Sequence, residues 1–105
     1  MVYKGHGSIV ILGATGSLRG GANFTAFASA KNGQRALAES MARHLAPKGI
    51  HVALLIIDGS IDPENAGDDK WLKPEEVAST VHYITSQDKS AWTFQMDIRP
   101  FIEKW

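Results

Sequence analysis

Two apolar runs constrain the fold of this chain most strongly. Ile9–Leu12 and Val52–Ile57 are apolar at every position, and they predict strands over Ser8–Leu12 and Ile50–Ile57. Strands that are apolar at successive positions are covered on both faces, as in a parallel sheet. Neither run can cross a bilayer, which requires about 20 apolar residues. We therefore expect no membrane segment.

The segment between these strands predicts one long helix. It begins near Phe24 to Ala26, with Asn23 or Thr25 as the N-cap, and Pro47-Lys48-Gly49 ends it. Apolar residues recur at three- and four-residue spacing and predict one buried face. The residues of this face are Phe27, Ala30, Leu37, Ala38, Met41, Ala42 and Leu45.

The remainder of the chain predicts a second helix and a third strand. Asp58–Leu72 is predicted to be a loop, the second helix starts at Pro74, and Trp92–Ile98 forms the strand. The order strand, helix, strand, helix, strand predicts an α/β fold, a partial Rossmann-like fold with three parallel strands. We expect residues 1–105 to form a single domain whose outer strands have open edges.

Charge and composition exclude several classes of function. The 11 basic and 11 acidic residues give a net charge of zero, which argues against a nucleic-acid partner and a polybasic membrane anchor. The absence of Cys excludes disulfides and is compatible with a reducing cytoplasm, where we expect the protein. No two His are three or four residues apart, and the acidic loop from Asp58 to Asp69 lacks calcium-loop spacing. We therefore expect no metal site.

The glycine-rich segment Gly13–Asn23 has two interpretations. Gly13 and Gly16 fit the start of a GxxGxxG dinucleotide fingerprint, but Arg19 stands at its third position. The fingerprint places a ribose-binding acid about 20 residues after its glycines, at the end of the next strand. Here the next strand ends at Asp58, 45 residues after Gly13, which is too far. A nucleotide-binding start is therefore the less favoured interpretation. Arg19 could meet an anion here, although a surface arginine is the simpler interpretation.

The second interpretation uses nearly the whole chain, which resembles the carboxy-terminal half of a short-chain dehydrogenase/reductase. Three features carry this resemblance: the FxxxK pair Phe27 and Lys31, the turn APKGIHV over residues 46–52, and the helix start PEEVA over residues 74–78. In that family a central strand ends in a catalytic Ser, and a long helix carries a YxxxK pair. The family transfers a hydride between a nicotinamide and a carbonyl carbon.

The resemblance implies that two of the three catalytic groups are absent. Lys31 matches the family's Lys, but Phe27 stands at the Tyr position, and counting thirteen residues back gives Ala14 at the Ser position. A phenylalanine ring has no proton to transfer in general acid catalysis. Thr15 or Ser17 could supply a substitute hydroxyl, but neither restores the proton relay. We therefore expect a non-catalytic oligomeric or binding module.

The resemblance also implies which residues would meet a cofactor. Lys31 would hold the nicotinamide ribose, and Gly59 and Ile61 would lie beside the nicotinamide. The simpler interpretations are a solvated lysine and an ordinary strand-to-loop turn with Gly59 at positive φ. The family's adenine- and pyrophosphate-binding motif lies in an amino-terminal half that this sequence does not match. We therefore expect weak or absent binding of NAD or NADP.

The resemblance implies a partner as well. We expect a homo-oligomer formed through the helix that starts near Phe27 or through the exposed edge of strand 8–12. The alternative function is an NAD(P)-dependent oxidoreductase for a carbonyl or alcohol substrate, active only with a complementary partner chain or subunit.

Overall fold

Two helices cover the two faces of a three-stranded parallel sheet. The computed structural model describes all 105 residues. The sheet contains β1 (Gly7–Ala14), β2 (Ile50–Ile57) and β5 (Gln95–Ile98), in the spatial order β1-β2-β5. Both pairings are parallel. The predicted α/β fold with three parallel strands is therefore confirmed.

The central strand β2 forms the core of the molecule, because all eight of its residues are buried. Leu54 and Ile56 pack on one face against Ala38 of α1 (Thr25–Leu45). Ala53, Leu55 and Ile57 face the other side, where they pack against α2 (Pro74–Thr85). Alternate residues of one strand thus supply both cores, which explains why the sequence of β2 is apolar without alternation.

The strand β1 is less covered than its composition predicts. It extends beyond the predicted Ser8–Leu12 and pairs only with β2, so its outer edge is open. Its residues are mostly half-buried, and the Leu12 side chain is 45% exposed. The expectation that both faces are covered is correct for β2 and wrong for β1.

The long helix α1 starts at Thr25, within the predicted range, but its N-cap and part of its apolar face differ from the prediction. Phe24 occupies the N-cap position and supplies no side-chain hydrogen bond, so the predicted caps Asn23 and Thr25 are wrong. Small residues make the closest contacts with the core: Ala28 and Ala38 are buried, whereas Phe27 and Leu37 are exposed. Ala38 of the predicted face is thus buried and Met41 and Leu45 are half-buried, whereas Phe27 and Leu37 lie on an exposed flank of the helix.

Two short strands divide the predicted Asp58–Leu72 loop. Ser60–Ile61 (β3) pairs in parallel with Trp71–Leu72 (β4), a two-residue ladder that no periodicity could indicate. β5 is shorter than the predicted Trp92–Ile98. No helix has the length and apolar composition that crossing a membrane requires.

Candidate functional site

A pocket lies beyond the carboxyl end of β1, between the glycine-rich segment and the start of α1. We call it the glycine-loop pocket. It encloses about 330 Å³. Its lining residues are Thr15, Gly16, Arg19, Gly20, Gly21, Phe24 and Phe27. The carboxyl ends of parallel strands are where open α/β sheets bind ligands.

Two glycines leave room for the aromatic rings of this pocket. A Cβ on Gly16 would lie 3.0 Å from the Phe27 ring, and a Cβ on Gly21 would lie 3.0 Å from the Phe24 ring. The two rings meet edge to face with their centroids 6.4 Å apart. A larger residue at Gly16 or Gly21 would displace a ring, so packing accounts for these glycines without a bound phosphate.

The buried carboxylate of Asp58 connects the segments that follow all three main strands. Its Oδ1 accepts a hydrogen bond from Thr15 Oγ1 at 2.5 Å and lies 3.4 Å from Arg19 Nη2. Its Oδ2 accepts from Arg99 Nε at 3.0 Å. Arg99 also contacts Asp97 at 3.4 Å. The side chain of Asp58 is only 5% exposed, so these partners replace water around its charge.

Burial and charge act in opposite directions on Asp58. Burial by itself raises the pKa of a carboxyl group, because it disfavours the charged form. The hydrogen bonds from Thr15 and Arg99, with the positive charges of Arg19 and Arg99, outweigh burial and lower the pKa of Asp58 below its ordinary 3.8. Asp58 is therefore ionised at neutral pH, and both of its oxygen atoms already accept hydrogen bonds.

The residues expected at the catalytic positions lie near this pocket. Phe27 lines it, and the Lys31 ammonium lies 5.9 Å from the centre of the Phe27 ring. Lys31 Nζ also lies 3.4 Å from the Leu12 carbonyl oxygen and 3.3 Å from Gln34 Oε1. Ala14 is the last residue of β1 and does not line the pocket.

Neither substitute hydroxyl is free. Ser17 is buried, and its Oγ accepts the backbone N–H of Ala14 at 3.0 Å. The Thr15 hydroxyl donates its only proton to Asp58. Thr15 and Ser17 therefore stabilise the end of β1 and the turn that follows it.

Gly59 and Ile61, which were expected beside a nicotinamide, do not line the glycine-loop pocket. Gly59 has a positive φ of 150°, and a Cβ there would lie 2.9 Å from Pro100 Cδ. The absence of a side chain at Gly59 thus allows the segment after β5 to approach the end of β2. Ile61 pairs with Leu72 in the β3–β4 ladder.

Asp62 orders part of the segment that the sequence predicts to be a loop over Asp58–Leu72. Asp62 is buried and accepts backbone N–H groups of Glu64, Ala66 and Gly67. Backbone hydrogen bonds from Ala66 and Gly67 lower the pKa of Asp62 most, more than burial raises it. Asp62 therefore fixes the turn between β3 and β4.

The three Trp residues do not contribute to the pocket. Trp92 stacks on buried His51 with ring centres 4.7 Å apart. The guanidinium of Arg99 lies 4.0 Å above the largely exposed Trp105 ring. No three His, Cys, Asp or Glu side chains converge as a metal site would require.

Comparisons with known proteins place the chain in a family. A family model described as short chain dehydrogenase matches residues 1–69. A solved short-chain dehydrogenase from Rhodopseudomonas palustris is 51% identical, with a TM-score of 0.82 over 96% of this chain and 42% of its own. None of the curated proteins compared with the chain matches it.

More distant structures share the fold. Serine dehydrogenase from Escherichia coli is 18% identical, with a TM-score of 0.81 over 100% of this chain and 45% of its own. A gluconate 5-dehydrogenase from Burkholderia cenocepacia, solved with NADP and tartrate, is 16% identical, with a TM-score of 0.78 over 94% of this chain and 46% of its own. The chain thus spans less than half the length of these structures.

The Asp58 ion pairs predict a pH-dependent contribution to stability. Because the pKa of Asp58 is lowered by folding, its contribution is complete above the ordinary 3.8 and is lost as the pH falls through the lower folded value. At neutral pH, Asp58→Asn should lower the free energy of unfolding by about 2 kcal/mol, the magnitude of a charged hydrogen bond. Urea unfolding followed over a pH series measures this difference.

The matched control is Asp69→Asn, which changes an exposed carboxylate of the same loop. It should leave the free energy of unfolding within about 0.5 kcal/mol of the unsubstituted chain at neutral pH. A difference between the Asp58→Asn variant and the unsubstituted chain that stays constant down to the most acidic pH would contradict the ion-pair assignment.

Proposed function

Because this chain belongs to the short-chain dehydrogenase family, we propose that it is a non-catalytic member, a self-associating module that binds a ligand at the glycine-loop pocket. The observation that carries the proposal is the Phe27 ring. It lines the pocket four residues before Lys31, where the family pattern has a Tyr. A phenyl ring can neither donate nor accept a proton, so general acid–base chemistry has no group at this position.

The hydroxyl groups near the pocket support the same conclusion. Polarising a substrate carbonyl requires a donor aimed at its oxygen atom. Ser17 is buried against Ala14, and the Thr15 proton is already donated to Asp58. Burial keeps the Ser17 hydroxyl away from a substrate, and the Thr15 proton is committed to Asp58.

Asp58 is also a poor replacement for the missing base. A general base works best when its pKa lies near the operating pH. The pKa of Asp58 is lowered, and two guanidinium groups neutralise its charge. Asp58 is suited to holding the loops in position rather than to accepting a proton.

We assign the chain to the carboxy-terminal half of the family fold. The 21-residue α1 starts well beyond the end of β1, unlike a helix that begins directly at a phosphate-binding turn. Gly13 is buried, and a Cβ there would lie 2.8 Å from Ile56 Cδ1, so it faces the core. Asp58, at the end of β2, is fully engaged and has no oxygen atom free for a ribose.

The residues of this chain fit only one end of a dinucleotide. Lys31 Nζ has three donors and two weak partners, so it can still donate to a ribose hydroxyl. The residues around the glycine-loop pocket do not form a cradle for the pyrophosphate. Weak or absent binding of NAD or NADP is therefore part of the proposal.

A second candidate is an NAD(P)-dependent oxidoreductase that works only with a complementary chain or subunit. The retained Lys31 and the open edge of β1 favour it, because that edge can pair with a further strand. Unlike the first candidate, it requires a partner to complete the substrate site. A cofactor titration separates the two for this chain alone.

We expect no hydride transfer by the 105-residue chain. Millimolar NADH or NADPH should produce no saturable change in cofactor fluorescence, and cofactor absorbance should stay constant with a panel of aldehydes and ketones. The physical reason is the absence of a proton donor at Phe27 and of a pyrophosphate cradle.

The Lys31→Ala variant serves as the control, because a genuine site of the family's type requires this ammonium group. Saturable cofactor oxidation that depends on a carbonyl compound and disappears in Lys31→Ala would overturn the proposal in favour of the oxidoreductase.

Self-association follows from an exposed apolar flank on α1. Leu37 is 58% exposed, and the exposed Ala30 lies two turns earlier on the same side of the helix, outside the glycine-loop pocket. The net charge of zero gives little repulsion between copies. We propose a homo-oligomer through this flank, with the open edge of β1 as the other candidate surface.

Light scattering coupled to gel filtration should give a mass of at least twice 11.4 kDa at micromolar concentration. Leu37→Glu should produce a monomer, because it buries a charge in the contact. The matched control, Ala36→Glu, adds the same charge on an exposed neighbouring position and should remain associated. A monomer before any substitution contradicts self-association, and an oligomer that survives Leu37→Glu contradicts the helix contact.

A further inference from the structure

We infer that the glycine-loop pocket binds a small carboxylic acid anion with an apolar body, with its carboxylate on Arg19 and its body on Phe24 and Phe27. This inference deepens the proposed function, on which it rests, by naming the class of ligand. It assigns Arg19 to ligand recognition, although the sequence alone favours a surface arginine.

The apolar half of the ligand is specified by two exposed rings. Phe24 and Phe27 are 59% and 48% exposed although both line a concave site. Covering them removes apolar surface from water, which is favourable. Gly16 and Gly21 lie directly against the rings, and the two rings also contact each other edge to face, so the apolar wall is already assembled without a ligand. Preorganised walls reduce the entropy lost on binding.

The anionic half is specified by the pairing of Arg19. Its guanidinium touches Asp58 only through Nη2 at 3.4 Å, whereas Arg99 reaches the same carboxylate at 3.0 Å. The side chain of Arg19 is 48% exposed. A guanidinium has five N–H donors, so most of those of Arg19 remain available. A ligand carboxylate can take two of them side by side.

The pocket has no acidic lining residue and a small volume, and the one carboxylate on Arg19, that of Asp58, occupies only Nη2. None of its lining residues is acidic, and Arg19 is the only charged residue among them. A volume of about 330 Å³ is near the lower limit for ligand pockets, about 300–1,000 Å³. One cation in the same pocket as two rings fits a singly charged aromatic or branched aliphatic acid better than a multiply charged phosphate.

The test compares three probes that separate the two halves of the ligand. Phenylacetate carries both halves, phenylacetamide lacks the charge, and acetate lacks the ring. Backbone amide shifts of the 105-residue chain are followed during each titration. Phenylacetate should move Gly16, Gly20 and Gly21 and bind about tenfold more tightly than phenylacetamide, as the loss of one charged hydrogen bond implies. It should also bind more tightly than acetate, which covers no apolar ring surface.

Two variants locate the charge that recognises the acid. Arg19→Gln should lower phenylacetate affinity to that of the amide and leave the amide unchanged. Arg43→Gln removes an exposed arginine of α1 outside the pocket and should leave both affinities unchanged. If Arg19→Gln does not fold, the comparison of acid with amide on the unsubstituted chain decides.

Equal affinity for the acid and the amide, no binding of phenylacetate, or full retention of acid affinity in Arg19→Gln would each overturn the inference. Its failure is distinguishable from failure of the proposed function. A cofactor-dependent activity would contradict the non-catalytic assignment and leave an acid preference standing. Equal binding of acid and amide without any cofactor oxidation would contradict the assigned ligand class and leave the non-catalytic assignment standing.

Discussion

The buried carboxylate of Asp58 is the interaction on which the arrangement of this end of the molecule depends. It is the one group that contacts the segments following β1, β2 and β5, through Thr15, its own backbone and Arg99. A buried charge requires partners that replace its hydration. Those partners therefore have fixed positions, and the position of Thr15 in turn sets where the glycine-rich segment leaves the sheet.

The proposal that the site binds a ligand rather than catalyses a reaction rests on this arrangement. Proton-transfer chemistry needs groups with free donors or a pKa near neutrality. Here the Thr15 and Ser17 hydroxyls and the Asp58 carboxylate are all engaged in internal hydrogen bonds. The surfaces that remain open are two aromatic rings and one guanidinium. Open apolar surface and a single cation favour a bound anion, and they offer no proton to a reaction.

The sequence predicts the fold far better than the site, and the reason is the range of the interactions. β2 and α2 follow from local patterns, an apolar run and a helix that begins with proline and two acids. The half-exposed β1 does not follow, because its coverage depends on neighbours rather than on its own composition. The exposed flank of α1 has the same cause: the packing of the helix on the sheet buries Ala28 and Ala38 and leaves Phe27 exposed.

The candidate site could be predicted only in part. The FxxxK spacing identifies Phe27 and Lys31, because a helix brings residues four apart to one side. The pairing of Asp58 with Thr15, Arg19 and Arg99 joins residues about 40 positions apart, as in Arg99 to Asp58 at a separation of 41. No periodicity indicates such contacts. Sequence patterns likewise do not indicate the β3–β4 ladder or the turn held by Asp62. Backbone pairing of two residues from each strand forms the ladder, and three backbone N–H groups on one carboxylate hold the turn.

The most direct measurement is the pKa of a phenol introduced by Phe27→Tyr. Phenolate absorbance of this variant, minus that of the unsubstituted chain, isolates the new group. If position 27 faces Lys31 as the 5.9 Å separation from ring to ammonium indicates, the phenol should titrate below the ordinary value of about 10. Adding Lys31→Met should return it to that value. A phenol that titrates identically with and without Lys31 would show that position 27 is not the family's tyrosine position.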